Sequence, residues 1–190
     1  LPISMMRRLL ALLGGTAILG SLGCSTTTTE RLKLPELQVV ESVDLEQYMG
    51  RWFEIASYQQ SFQRGCVGTT ATYSLKDDGG VKVVNRCFKE SFDGKESVAE
   101  GKARLKSPDG STAKLEVSFF GPFWGDYWVI DLGEAYEYAV VGHPGRDYLW
   151  ILSRTPTMDP DLYAAILERL KAADYDLERL KKTKQRADEG

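Results

Sequence analysis

The stretch Cys66-Val67-Gly68-Thr69-Thr70-Ala71-Thr72-Tyr73-Ser74-Leu75-Lys76-Asp77-Asp78-Gly79-Gly80-Val81-Lys82-Val83-Val84-Asn85-Arg86-Cys87-Phe88 reads as two strands and the turn between them. Cys66 to Leu75 is dominated by β-branched and aromatic residues, which suit a pleated, half-buried surface. Asp77-Asp78-Gly79-Gly80 is a hairpin signal, because Asp and Gly accept the positive φ that tight hairpin turns need. Val81 to Phe88 returns with Val81, Val83 and Asn85 on one face. The same pattern extends outward. Arg51 to Tyr58 precedes the hairpin in a region that reads as strand from Leu45. Ser97 to Leu105, Lys114 to Phe120, Tyr127 to Leu132, Tyr136 to Val141 and Tyr148 to Ser153 follow it, with Gly121-Pro122 breaking the chain after Phe120. These make eight strands with no helix between them, so parallel crossovers are excluded and antiparallel neighbours follow. Eight such strands form a sandwich or close into a barrel, and periodicity does not choose between the two. One helix comes after the strands: Asp159 suits its cap, Pro160 its first position, and Leu162, Tyr163, Ile166, Leu167 and Leu170 share a face that packs on the outside of the sheet.

The N-terminus indicates a compartment. Arg7 and Arg8 precede an apolar run from Leu9 to Leu19, followed by Gly20-Ser21-Leu22-Gly23 and Cys24. A basic segment, a short apolar segment and small residues before a cut describe a secretory signal. The run is about half the roughly 20 residues that a spanning helix needs. A cysteine directly after the cut resembles the lipidation site of bacterial lipoproteins, which implies Cys24 as an acylated N-terminus. Ser25 after it implies the outer membrane, facing the periplasm. Each buried methylene of the acyl chains would contribute about 0.8 kcal/mol to anchoring. The division expected is a signal over 1–23, a tether over 24–43, the strands and helix over 44–180, and a tail over 181–190 that reads as a solvated end.

Composition narrows the function. Charged residues are 27% and the net charge is −3, which gives no pull toward nucleic acid. The single histidine, His143, sits in the turn-like Gly142-His143-Pro144-Gly145, so no metal-ligand spacing exists and no cofactor is expected. Acidic pairs such as Asp77-Asp78 and Asp174/Asp176 read as solvated turn residues, and no Ser-His-Asp arrangement can be built.

Three places carry a resemblance: Gly50-Arg51-Trp52 at the first strand, Asp147-Tyr148-Leu149-Trp150-Ile151-Leu152-Ser153-Arg154 at the last, and the single helix after it. Together they resemble the lipocalin family from about Leu45 to Leu180, and the lipoprotein signal points to its bacterial outer-membrane branch. The resemblance implies an all-β fold with one C-terminal helix: an eight-stranded antiparallel up-and-down β-barrel. It implies that Trp52 plugs the narrow end and that Arg154 stacks across it. Positions matching Tyr73, Asn85 and Trp150 line the pocket in a member of the family. Alternation then places Thr69 and Ala71 with Tyr73, Val83 with Asn85, and Tyr148 with Trp150, while Leu115, Val117 and Phe119 form another wall. The expected ligand set is therefore Ala71, Tyr73, Val83, Asn85, Val117, Phe119, Tyr148 and Trp150. The implied partner is a fatty acid or lysophospholipid, held in the cavity by a protein whose oligomeric state, monomer or dimer, is open. A filled barrel serving as an interaction module is a second reading.

Cys66 and Cys87 have two readings. In an oxidising compartment two cysteines usually pair. Pairing straight across the Asp77–Gly80 turn does not set them opposite, so a bulge must bring their Cα atoms together. The alternative is a free thiol in the cavity, which would make the protein a thiol-dependent isomerase or a peroxide-reactive enzyme. Such isomerase chemistry occurs within the superfamily that the chain resembles.

Overall fold

The structure, a computed structural model, describes residues 34–107 and 110–186. The signal, Cys24 and the first part of the tether lie outside the described residues. The strands are β1 (Gly50–Tyr58), β2 (Cys66–Leu75), β3 (Val81–Lys89), β4 (Glu96–Leu105), β5 (Lys114–Phe120), β6 (Phe123–Leu132), β7 (Tyr138–Gly142) and β8 (Leu149–Ser153). Each pairs antiparallel with the next, β8 pairs with β1, and β1 pairs with β2, which closes the barrel. A helix, Pro160–Ala172, follows with the expected cap: the Asp159 carboxylate accepts from the N–H groups of Asp161 and Leu162.

Two hydrophobic cores result. Inside the barrel lie Trp52, Tyr73, Val81, Val83, Val129, Val141 and Leu152. Outside it, Ile166 and Leu170 of the helix pack on Ile55, Tyr138, Val140, Leu149 and Ile151. Among the described residues, both cores are complete from Leu37 onward.

Several local readings are corrected. Leu45–Tyr48 is a helical turn rather than strand, because the Asp44 carboxylate caps the N–H groups of Glu46 and Gln47. The strand expected from Tyr127 begins at Phe123, since Gly121-Pro122 makes only a short connection and Phe120 pairs with Phe123. Tyr136 sits in the turn before β7 at φ 57°, and Tyr148 precedes β8. The segment expected as tether is not wholly free: Leu37 and Val43 are buried, and the Val40 N–H donates to the Val129 carbonyl at 3.1 Å.

The tail is the largest correction. β1 pairs with β2 only from Gly50↔Tyr73 to Phe53↔Thr70. Farther along, a further strand β9 (Leu180–Lys182) takes the free edge of β1, from Ala56↔Lys182 to Tyr58↔Leu180. The Gln185 amide then spans the gap, donating to the carbonyls of Glu54 and Thr69 at 2.8 Å each. A buried strand edge demands such partners, because unpaired backbone groups are costly away from water.

Cys66 and Cys87 are bonded, with Cα atoms 5.5 Å apart. The bulge that this requires is present: the β2–β3 register shifts between Val67 and Thr70, where Gly68 adopts φ 60°.

Candidate functional site

One end of the barrel is shut. Trp52 is fully buried, and its indole N–H donates to the Tyr48 carbonyl at 2.9 Å. The Arg154 guanidinium lies 3.7 Å from the Trp52 ring centroid. It also donates to three backbone carbonyls, those of Gln47 at 2.7 Å, Arg51 at 3.0 Å and Tyr136 at 3.2 Å. The guanidinium thus ties three separate segments across the end of the barrel, with its face on the plug.

Above the plug lies a group of three tyrosines. The Tyr127 hydroxyl is 2.8 Å from that of Tyr48 and 2.9 Å from that of Tyr73. Burial pushes the Tyr73 hydroxyl up to about 12 and raises the other two well above the ordinary tyrosine value, so all three stay protonated. Three hydroxyls thus share two contacts, both centred on Tyr127.

The walls enclose a cavity of about 260 Å³. Ala71, Tyr73, Val83, Asn85, Val117, Phe119, Tyr148 and Trp150 all line it. Tyr148 and Trp150 stack with ring centroids 5.9 Å apart and planes 12° apart. His143 is a loop residue at the rim, edge-on to Tyr148 at 5.5 Å. The cavity continues toward the mouth as a chamber of about 380 Å³ bordered by the disulfide and by Phe62, Phe120 and Phe123. These phenylalanines are 70%, 80% and 77% exposed, which makes the rim apolar.

Sequence reasoning missed Glu54, Phe62, Gln63 and Tyr127, which also line the cavity. Glu54 was findable, since alternation from Trp52 turns it inward. It is 6% exposed. Its carboxylate accepts from the Thr183 hydroxyl at 2.6 Å, the Gln63 amide at 2.9 Å and the Ser57 hydroxyl at 3.0 Å. Burial nonetheless raises its pKa against these three hydrogen bonds. Gln63 comes from a short 3-10 turn, Ser61–Gln63, for which the sequence carries no signal.

Both candidate thiols are consumed in the disulfide, so the thiol-enzyme alternative has no nucleophile in Cys66 or Cys87. Among the described residues no group of three His, Cys, Asp or Glu side chains could hold a metal ion.

The family model for a lipocalin-like domain matches residues 43–185. The outer membrane lipoprotein Blc of Citrobacter freundii is 41% identical over 92% of this chain and 96% of that protein. Apolipoprotein D of Rattus norvegicus is 34% identical over 86% of this chain and 90% of that protein. Among solved structures, insecticyanin from the tobacco hornworm Manduca sexta shares the fold with a TM-score of 0.63 at 21% identity, covering 80% of this chain and 86% of that one. The shut end, the open apolar cavity and these matches lead to one conclusion: the chain belongs to the lipocalin family.

Proposed function

We propose that this protein is an outer-membrane lipoprotein, anchored through Cys24 and facing the periplasm, that binds and carries a single-chain amphiphile of the fatty acid or lysophospholipid kind. The observation that carries the reading is the open, mainly apolar cavity with the stacked Tyr148 and Trp150 on its wall. Acyl-chain burial there drives binding at about 25 cal/mol per Å² of apolar surface removed from water. The apolar rim of Phe62, Phe120 and Phe123 suits collection of such a molecule from a lipid surface. The name of the Citrobacter freundii relative supports the location. Envelope lipid transport, storage or repair follows as the role.

The test is a titration of the chain beginning at Ser25 with lysophospholipid and with fatty acid, read by tryptophan fluorescence. Saturable binding that is lost in Trp150→Ala is expected. No response to either lipid would refute the carrier reading.

A further inference from the structure

Positive charge without a carboxylate partner gathers on one segment. Arg179-Leu180-Lys181-Lys182-Thr183-Lys184-Gln185-Arg186 carries five cations and no acid, in a chain whose net charge is −3. Counting Asp176 and Glu178 just before it still leaves a surplus of cations. On the barrel wall the cations are neutralised where they stand: Lys82 pairs with Glu100, Arg86 with Glu96 and Arg104 with Glu116. Within the segment Arg186 pairs with Asp93 at 3.4 Å. Arg179, Lys181, Lys182 and Lys184 are exposed, and among the described residues no carboxylate pairs with them. Their contacts are with neutral groups, which orient a cation without cancelling its charge. Arg179 lies over the Tyr58 ring at 4.4 Å, Lys182 over the Tyr163 ring at 4.5 Å, and the Lys181 ammonium donates to the Glu178 carbonyl at 3.2 Å.

The segment lies at the open end. β1 runs from the Trp52 plug up to Tyr58, and β9 pairs with its upper part, Leu180 opposite Tyr58. At one side Arg179 donates to the Asp147 carbonyl at 3.3 Å, directly before Tyr148 of the cavity wall. At the other side the Gly68 N–H donates to the Lys184 carbonyl at 2.8 Å, and Arg186 donates to the Phe92 carbonyl, between β3 and β4, at 2.9 Å. The cations therefore cross the outside of the barrel beside the mouth. There they meet the Ser61–Gln63 turn: Gln63, Lys181 and Lys182 border one crevice, the Phe62 ring of that turn is exposed, and Arg64 next to it is exposed as well.

An apolar rim alone would fit any oily surface, and a cation cluster alone would fit any polyanion. Side by side at one end, they match a bilayer of anionic phospholipid, whose phosphates lie just outside its acyl chains. The remainder of the chain is acidic and is repelled by the same surface, so the field of the whole molecule turns this end toward it. We propose that Arg179, Lys181, Lys182 and Lys184, together with the Phe62 turn, form a docking surface for an anionic phospholipid bilayer, and that docking sets the mouth of the barrel against the membrane. The surface lies outside the cavity, so the inference goes beyond the carrier reading and stands or falls separately from it.

The test is co-sedimentation of the chain beginning at Ser25 with vesicles. That chain keeps both cores and lacks Cys24, so sedimentation reports this surface rather than an acyl anchor. Vesicles of phosphatidylcholine alone are compared with vesicles containing about one-third phosphatidylglycerol. Binding to the anionic vesicles is expected to be at least about a hundredfold tighter, and to be lost in about 0.5 M salt, where the screening length falls to about 4 Å. Each cation near such a surface contributes about fivefold. Lys181→Gln/Lys182→Gln/Lys184→Gln should therefore bind anionic vesicles about a hundredfold more weakly and neutral vesicles as before. β9 pairs through its backbone, and none of the three lysines lines the cavity, so the variant should keep its circular dichroism spectrum and its lysophospholipid affinity. Should the triple variant fail to fold, Lys184→Gln alone, which lies beyond β9, is expected to lose about fivefold. Equal binding to both kinds of vesicle would leave the apolar rim as the contact and overturn the proposal. So would anionic binding that a folded triple variant retains. Capture of soluble polyglutamate without binding to anionic vesicles would overturn it in favour of a protein-binding surface. Vesicle docking without any lysophospholipid uptake would refute the carrier reading and leave this surface standing.

Discussion

Replacing Arg154 with alanine tests the shut end of the barrel most directly. The change removes a cation–π contact with the guanidinium 3.7 Å from the Trp52 centroid, worth about 1 kcal/mol for a partly desolvated pair. It also removes donors to the carbonyls of Gln47, Arg51 and Tyr136. Gln47 and Arg51 are exposed, so water replaces part of what is lost, and a net value of about 1 kcal/mol per bond is appropriate. The expected loss is about 3–4 kcal/mol, or a fall in melting temperature of about 10 °C for a chain of this size. Arg154→Lys should recover little, because an ammonium cannot cover the ring and reach three carbonyls in one plane. Thermal unfolding by circular dichroism reads the effect, with lipid titration alongside. Amphiphile affinity should stay within about twofold, because Arg154 lies below the plug and not on the cavity wall. A fall in melting temperature below about 2 °C would refute the reasoning, and so would a loss of affinity without a loss of stability.

Three further outcomes are expected. Glu54 has a pKa raised by burial, so its stabilising contribution is complete below the ordinary glutamate pKa and is lost as pH rises through the folded value. Glu54→Gln should therefore gain stability on wild type as pH rises across that window and lose the advantage in acid; parallel melting curves against pH would contradict this. Cys66→Ser/Cys87→Ser opens a loop of sequence separation 21 and should cost about 3 kcal/mol by urea denaturation, with native circular dichroism retained. Ile166→Ala leaves a cavity between the helix and the outside of the barrel, where Ile166 is fully buried, and should cost about 2–5 kcal/mol in the same assay while leaving lipid affinity unchanged.

The strands were legible because their side chains obey a period of two and their turns carry Asp, Gly and Pro. Once the resemblance sets Tyr73 and Asn85 facing inward, alternation about a single hairpin puts Ala71 and Val83 with them, and all four line the cavity. What depends on contacts between distant segments was not legible. Nothing local marks Leu180-Lys181-Lys182 as a strand; it pairs because β1 has left β2 and its edge needs a partner. Gln63 comes from a turn without a periodic signal, and it becomes part of the site only through Glu54, nine residues earlier. The disulfide lies between these cases, since compartment predicted the bond while its geometry depended on a bulge at Gly68.

The strap made by Leu180–Lys182 and Gln185 bears on how the molecule is made. The segment that completes the wall beside β1 is synthesised after everything else that the wall contains. Until it emerges, the upper part of β1 presents an unsatisfied edge, the kind of surface that recruits wrong partners. Folding is therefore completed only after synthesis of the barrel sequence is essentially finished. A product stalled or clipped before position 180 is left with an open seam beside Glu54 and Thr69, exposed to aggregation and proteolysis. Closure by the last-made strand thus acts as a length check: a barrel with an intact wall has been translated at least as far as Gln185.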